Sequence, residues 1–167
     1  MKKTEDFELI PGISPSDKDF KSRIGNENWE KIKSKTFRDD GFKCVSCKFE
    51  PYDVEPDEIL NIHVESINEE DILNSKTRTT CLFCHTIEHA DAAIQKGYVN
   101  LVNSHFSQGE IVNICRNEAL SNHIQDGSIR LLKKDILEFL EELKSGRSKE
   151  GKVKLIFTDK FFKDMKI

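Results

Sequence analysis

Four cysteines in two identical pairs are the first chemical signal in this sequence. Cys44 and Cys47 enclose two residues, and Cys81 and Cys84 repeat that spacing further along the chain. A Cys-x-x-Cys turn places two thiolates on one side of a tight loop, and two such turns supply the four sulfurs that Zn²⁺ holds tetrahedrally. The spacing therefore predicts a structural zinc site, in which four protein ligands leave no open position for chemistry.

Three histidines form a second group close to these cysteines. His85 follows Cys84 directly and His89 lies four residues further on, so a helix would present both imidazoles on one face. His63 lies in a short apolar alternation that predicts a strand, on the face opposite the apolar residues and away from the core. Three imidazoles can hold one divalent ion with a coordination position left open. The alternative is that His85 packs beside the zinc while the other two are solvated.

Composition describes an ordinary globular protein. The chain has 167 residues, a net charge of −4, 37% hydrophobic and 34% charged residues. No run of 18 apolar residues is present to span a membrane, and nothing at the N-terminus resembles a secretory signal, so a cytoplasmic location is expected. The fifth cysteine, Cys115, falls in an apolar run typical of a small buried thiol.

The order of the predicted elements favours an α+β fold in three parts. Residues 1–27 are predicted to form an N-terminal arm with at most a short helix at 16–24. Residues 28–98 hold both metal motifs: a helix from Asn28 that Gly41 ends, strands at 59–64 and 78–82, and a helix at 85–96 that Gly97 ends. Residues 99–167 are predicted to be a helical annex with a terminal strand at 152–157.

Two helices are predicted in the annex. Ser107 and Glu110 have the spacing of a capping box directly before an apolar run, which predicts a helix start. Residues 129–143 carry an apolar stripe at helical spacing. This stripe packs on its own domain, or forms a homodimer seam or a partner-protein surface.

Charge is distributed unevenly along the chain. Residues 42–98 contain five basic and eleven acidic side chains, whereas the two flanking regions are nearly balanced. A surface that meets phosphates is usually rich in Lys and Arg. A basic run in the helix predicted from Asn28 and two further basic residues before the second cysteine pair can form a local binding edge. These residues are Lys31, Lys33, Lys35, Arg38, Lys76 and Arg78.

Together these motifs resemble the HNH endonucleases of the ββα-metal, or His-Me finger, class. The resemblance covers about residues 28–97. It rests on the segments Trp29–Ile32 and Phe37–Cys47, on Leu60-Asn-Ile-His63, and on the second cysteine pair with its two following histidines.

The resemblance implies a zinc-stapled ββα-metal finger flanked by helices, which hydrolyses phosphodiester bonds, with DNA as the expected substrate. It also implies that Mg²⁺, Mn²⁺ or another divalent ion is held by His63, His85 and His89. His63, His85 and Asn74 are the candidate catalytic residues.

The sequence departs from the family pattern at two positions. The family places a general-base histidine directly after the strand histidine, and here Val64 stands there; the family's middle asparagine is replaced by Lys76, with Asn74 two residues earlier. His63 can serve as the base if a bulge re-aims it, or Glu65 or an ion-activated water can supply the nucleophile. The competing interpretation is a catalytically degenerate HNH fold acting as a zinc-stabilised nucleic-acid- or protein-binding module.

Overall fold

The computed structural model describes residues 17–51, 55–116, 129–131 and 153–166, and it shows an α+β protein. The chain divides into two compact units, one spanning Pro15–His85 and the other continuing from Thr86. The helices of the described residues are α1 (Asp17–Ile24), α2 (Asn26–Asp39), α3 (Pro56–Ile59), α4 (Leu82–Glu88), α5 (Ala90–Gln95), α6 (Gln108–Arg116) and α7 (Asp159–Met165). The strands are β1 (Leu60–Ser66), β2 (Lys76–Cys81), β3 (Val99–Ser104), β4 (Ile129–Leu131) and β5 (Val153–Phe157).

A β-hairpin is the centre of the first unit. Strands β1 and β2 pair antiparallel, and helix α2 packs on them. Alternate residues of β1 supply the core, since Leu60 and Ile62 are each 2% exposed, and Ile32 and Phe37 of α2 are buried in the same unit. Burial of this apolar face stabilises the hairpin, because a two-stranded sheet is marginal by itself. The strands predicted at 59–64 and 78–82 are therefore present with slightly different ends.

Helix α2 begins and ends at glycines. It starts at Asn26 after Gly25, so the prediction that Asn28 caps it is wrong: the Asn28 side chain lies in the first turn and donates a hydrogen bond to the Ile24 carbonyl. The predicted stop at Gly41 is confirmed. Gly41 has a φ of 64°, which L side chains rarely adopt, and the Phe42 amide closes the helix end on the Phe37 carbonyl.

The helix predicted at 85–96 is interrupted at His89. Helix α4 starts earlier, at Leu82, and ends at Glu88, while α5 starts at Ala90. His89 stands between them with φ −115° and ψ 53°, which is not helical. The stop at Gly97 is confirmed, because the Gly97 and Tyr98 amides bond back to the last turn of α5.

A three-stranded antiparallel sheet, in the order β4-β3-β5, lies in the second unit. Helix α6 packs on β5, and the buried Gln108 side chain bonds both backbone groups of Leu155. The capping box is confirmed: the Ser107 hydroxyl accepts from the Glu110 amide at 3.1 Å, and the Glu110 carboxylate accepts from the Ser107 amide at 2.6 Å. The terminal strand is confirmed as β5, whereas β3 was not predicted.

The helix predicted at 129–143 is wrong at its first residues. Ile129–Leu131 form strand β4, paired with Val102–Ser104 of β3, so this segment is extended. The remainder, residues 132–143, lies outside the described residues, as do residues 1–16. The short helix predicted at 16–24 is confirmed by α1. Among the described helices, none combines the length and apolar character that a bilayer crossing requires.

Candidate metal centre

The first cysteine turn is fastened to strand β2, which carries one of the other two cysteines. The Val45 amide donates to the Thr79 carbonyl at 2.9 Å, so the turn lies along the end of β2. Two further backbone bonds close the turn itself, from the Cys44 amide to the Phe49 carbonyl and from the Lys48 amide to the Cys44 carbonyl. The backbone therefore sets the position of this cysteine pair.

All four cysteine sulfurs lie within 4.8 Å of one another. The Cys47 and Cys81 sulfurs are 3.7 Å apart, close to the edge of about 3.8 Å that a tetrahedron with zinc–sulfur bonds of about 2.3 Å requires. No disulfide links them, and Cys44, Cys81 and Cys84 are fully buried. Four sulfurs at this separation, three of them on fully buried cysteines, fit a tetrahedral ion such as zinc.

The electrostatics of the four thiols favour the same conclusion. Hydrogen bonds from Cys47, Cys81 and Cys84 hold the pKa of the Cys44 thiol far below its ordinary value. The Cys44 thiolate in turn raises the pKa of Cys81 and Cys84 well above theirs, and burial adds to this effect. The four thiols therefore do not ionise together by themselves, and a divalent cation among them would be needed for all four to be thiolates.

Three imidazoles form a second cluster. The candidate ligand nitrogens of His63, His85 and His89 all lie within 4.8 Å of one another. His63 comes from β1, while His85 lies on α4 and His89 follows the end of that helix. Three nitrogens can contact one divalent ion after small side-chain rotations and leave part of its coordination sphere open. The cluster predicted from sequence is thus brought together, although its two later members are not on one continuous helix.

The environment of His63 differs from the prediction. His63 lies on the face of β1 opposite Leu60 and Ile62, as the alternation indicates, but it is only 7% exposed. Its ring stands edge-on to the His85 ring, with centroids 6.2 Å apart and planes at 77°. The second face of the hairpin is therefore covered at this point.

Strand β1 contains a bulge, and its position decides between two alternatives left open by the sequence. The register shifts between Val64 and Ser66, so Glu65 is the extra residue, whereas His63 keeps a regular partner in Arg78. The bulge therefore lies after His63 and does not re-aim it. Val64 stands after His63 without a group that can accept a proton.

Glu65 is held by two cations. One carboxylate oxygen lies 2.6 Å from the Lys76 ammonium, and the other lies 2.9 Å from Nε of Arg78. The hydrogen bond from Lys76 lowers the pKa of Glu65, and the charges of Lys76 and Arg78 act in the same direction. A lower pKa makes this carboxylate a weaker base, which counts against Glu65 as the proton acceptor.

Asn74 has partners other than the imidazoles. It ends a short 3-10 helix at Ile72–Asn74, donates to the Asp71 carboxylate at 2.7 Å and accepts from the Lys35 ammonium at 3.1 Å. Both polar atoms of its side chain are thus engaged with Asp71 and helix α2. The role of Asn74 as an orienting residue stays a prediction that no contact to His63 supports.

Two of the four basic residues in the run on α2 are paired with acids. Lys31 bonds Glu27, and Lys33 lies within 3.1 Å of both Glu30 and Asp57. Lys76 and Arg78 are also paired with an acid, but they share a single one, Glu65. The sequence analysis grouped Lys76 and Arg78 with the basic residues of α2 in one binding edge. The structure adds that the hairpin register places Arg78 opposite His63.

Known proteins do not add to this description, because no family model matches the sequence and no curated protein matches it.

Proposed function

We propose that this protein is a metal-dependent endonuclease of the HNH type, which hydrolyses phosphodiester bonds in DNA. The observation that carries the proposal is the convergence of the His63, His85 and His89 nitrogens beside a separate four-cysteine site. Four sulfur ligands would make a closed structural site, whereas three imidazole ligands would leave a coordination position open. A protein that needed only a structural metal would have no use for the second cluster.

The proposed roles follow from the positions of the ligands. His63 is fixed by the β1 ladder and His85 by helix α4, so the hairpin and the helix would together hold the ion. When bound, a divalent ion supplies Lewis-acid stabilisation of the leaving oxygen of the phosphodiester. The cysteine site fastens the turn at Cys44 to the end of β2 and the start of α4, which keeps these elements in place.

A binding module is the second candidate, and Val64 is the observation that favours it. A general base contributes on the order of 10² to 10⁴ in rate, and neither Val64 nor the ion-paired Glu65 is suited to that role. In this version the hairpin and helix form a zinc-held scaffold that binds nucleic acid or a partner protein without cleaving it.

A plasmid-nicking assay with Mg²⁺, Mn²⁺ and Ni²⁺ separates the two candidates. We expect nicking by the wild type and its loss in both His63→Ala and His85→Ala, with zinc content unchanged. His105→Ala is the matched control, since His105 is exposed, stacks on Phe106 and lies outside the imidazole cluster. Nicking that is absent with every ion would reject the endonuclease, and nicking that survives in His85→Ala would reject the imidazole cluster as its active site.

A further inference from the structure

Arg78 lies directly across the β1–β2 hairpin from His63 in the antiparallel register. Directly opposed residues lie on the same face of a sheet, with Cβ atoms about 4.5–5.5 Å apart. The Arg78 side chain is 24% exposed, so it is held against the protein with part of its surface open to solvent. A guanidinium group therefore stands beside the imidazole face of the hairpin.

The groups around Arg78 form a set of donors for an anion. Nε of Arg78 and Nζ of Lys76 each bond a different oxygen of the Glu65 carboxylate, at 2.9 and 2.6 Å. Nη1 of Arg78 donates to the Ser46 hydroxyl at 3.0 Å, which fixes the orientation of the guanidinium plane. Arginine in a fixed orientation suits phosphate, because its donors match two oxygens of one group.

The bulge at Glu65 places a carboxylate on these donors. Without the extra residue, position 65 would face Lys76 in the ladder; with it, Ser66 takes that place and Glu65 projects between Lys76 and Arg78. Two cations thus share this one carboxylate, in a region whose acidic residues outnumber its basic ones. A partly exposed ion pair of this kind contributes little to stability and can be exchanged for another anion.

We propose that Arg78 and Lys76 form a binding site for a backbone phosphate of nucleic acid, and that Glu65 occupies this site as a competing anion in the free protein. The proposal deepens the proposed function and rests on it for the choice of nucleic acid. When a strand binds, its phosphate takes over the donors of Arg78 and Lys76, and the Glu65 side chain turns to solvent. The phosphate then lies across the hairpin from His63.

Fluorescence anisotropy with a labelled 20-base-pair duplex, without added divalent ion, tests the site independently of cleavage. Removing the competitor in Glu65→Gln should tighten binding about fivefold at 0.15 M salt. Removing a phosphate contact in Lys76→Ala or Arg78→Ala should weaken it by a similar factor, given a salt slope of roughly 0.9 per contact. Each loss should also reduce the slope of log affinity against log salt by about one.

Glu50→Gln is the matched control for Glu65→Gln. Glu50 pairs with Lys43 at 3.0 Å in the same unit, so both variants remove one negative charge and break one Lys–carboxylate contact. Equal tightening in the two variants would overturn the proposal, because net charge would then explain the gain. Unchanged affinity in Lys76→Ala, whose side chain is 74% exposed and whose loss leaves the core intact, would overturn it as well.

Two further outcomes separate this inference from the proposed function. Tighter duplex binding by Glu65→Gln in a protein that nicks no plasmid would support the phosphate site and reject the endonuclease. Nicking that is unaffected in Arg78→Ala would keep the endonuclease and overturn the site. Adenosine monophosphate bound as tightly as the duplex would overturn the choice of a nucleic-acid backbone as ligand.

Discussion

The rings of His63 on β1 and His85 on α4 stand edge-on, with centroids 6.2 Å apart. One belongs to a strand whose other face is core, and the other follows a buried cysteine on a helix. His85 directly follows Cys84, so the imidazole cluster lies next to the four-cysteine cluster in the chain. Helix α4 carries both Cys84 and His85, and strand β2, which carries Cys81, pairs with strand β1, which carries His63.

Loss of one sulfur ligand is predicted to release the zinc and unfold the first unit. Cys81 is fully buried, and its sulfur lies 3.7 Å from that of Cys47. Structural zinc contributes about 10–16 kcal/mol of binding free energy to folding in small zinc domains. Elemental analysis and circular dichroism of Cys81→Ser should show lost zinc and lost helix signal. Cys115→Ala should retain its zinc, and full zinc content in Cys81→Ser would contradict the assignment.

The hairpin core is predicted to be sensitive to truncation. Ile62→Ala should lower the free energy of unfolding by about 2–5 kcal/mol, because the residue is 2% exposed and its removal leaves a cavity. Leu73→Ala, at a position 42% exposed, should change it by less than about 0.5 kcal/mol. Urea unfolding of both variants measures the difference. Similar losses in the two would show that Ile62 is not a core residue.

The capping box is predicted to stabilise helix α6. Ser107→Ala should cost about 0.5–2 kcal/mol, since it removes the hydroxyl that accepts from the Glu110 amide. Ser34→Ala, at an exposed position within helix α2, changes no cap and provides the comparison. Thermal unfolding should show a lower melting temperature for Ser107→Ala than for Ser34→Ala. An unchanged melting temperature in Ser107→Ala would contradict a stabilising cap.

Burial of Cys115 predicts a pH dependence of stability. Burial raises the pKa of the Cys115 thiol to about 11, above its ordinary 9.0. The unfolded chain therefore ionises first, so the contribution is complete below pH 9.0 and is lost as pH rises through about 11. Urea unfolding across this window should show a steeper decline for the wild type than for Cys115→Ala. Parallel declines would mean that the thiol is not buried.

The sequence alone predicted the features that depend on interactions between residues close together in the chain. The two cysteine pairs, the Ser107–Glu110 capping box and the glycine stops at Gly41 and Gly97 each depend on residues a few positions apart, and the structure contains all of them. The clustering of three histidines was also predicted, from the strand alternation at His63 and from the resemblance, although His89 does not lie on the helix of His85.

The sequence alone did not predict the features that depend on pairing between segments far apart in the chain. The bulge at Glu65 leaves the alternation of β1 unchanged, so its position appears only in the register with β2. Ile129–Leu131 read as part of a helical stripe, yet pairing with β3 makes them a strand. The non-helical backbone at His89 likewise breaks a segment whose apolar spacing is helical.

Metal stoichiometry of purified protein is the most direct test of the central claim. After dialysis against Mn²⁺ or Ni²⁺, the wild type and His105→Ala are predicted to hold one zinc that resists exchange and one exchangeable ion per chain. His85→Ala is predicted to hold the zinc alone. A wild type that binds a single ion in total, or a His85→Ala variant that still binds two, would contradict the presence of a second metal site at the imidazoles.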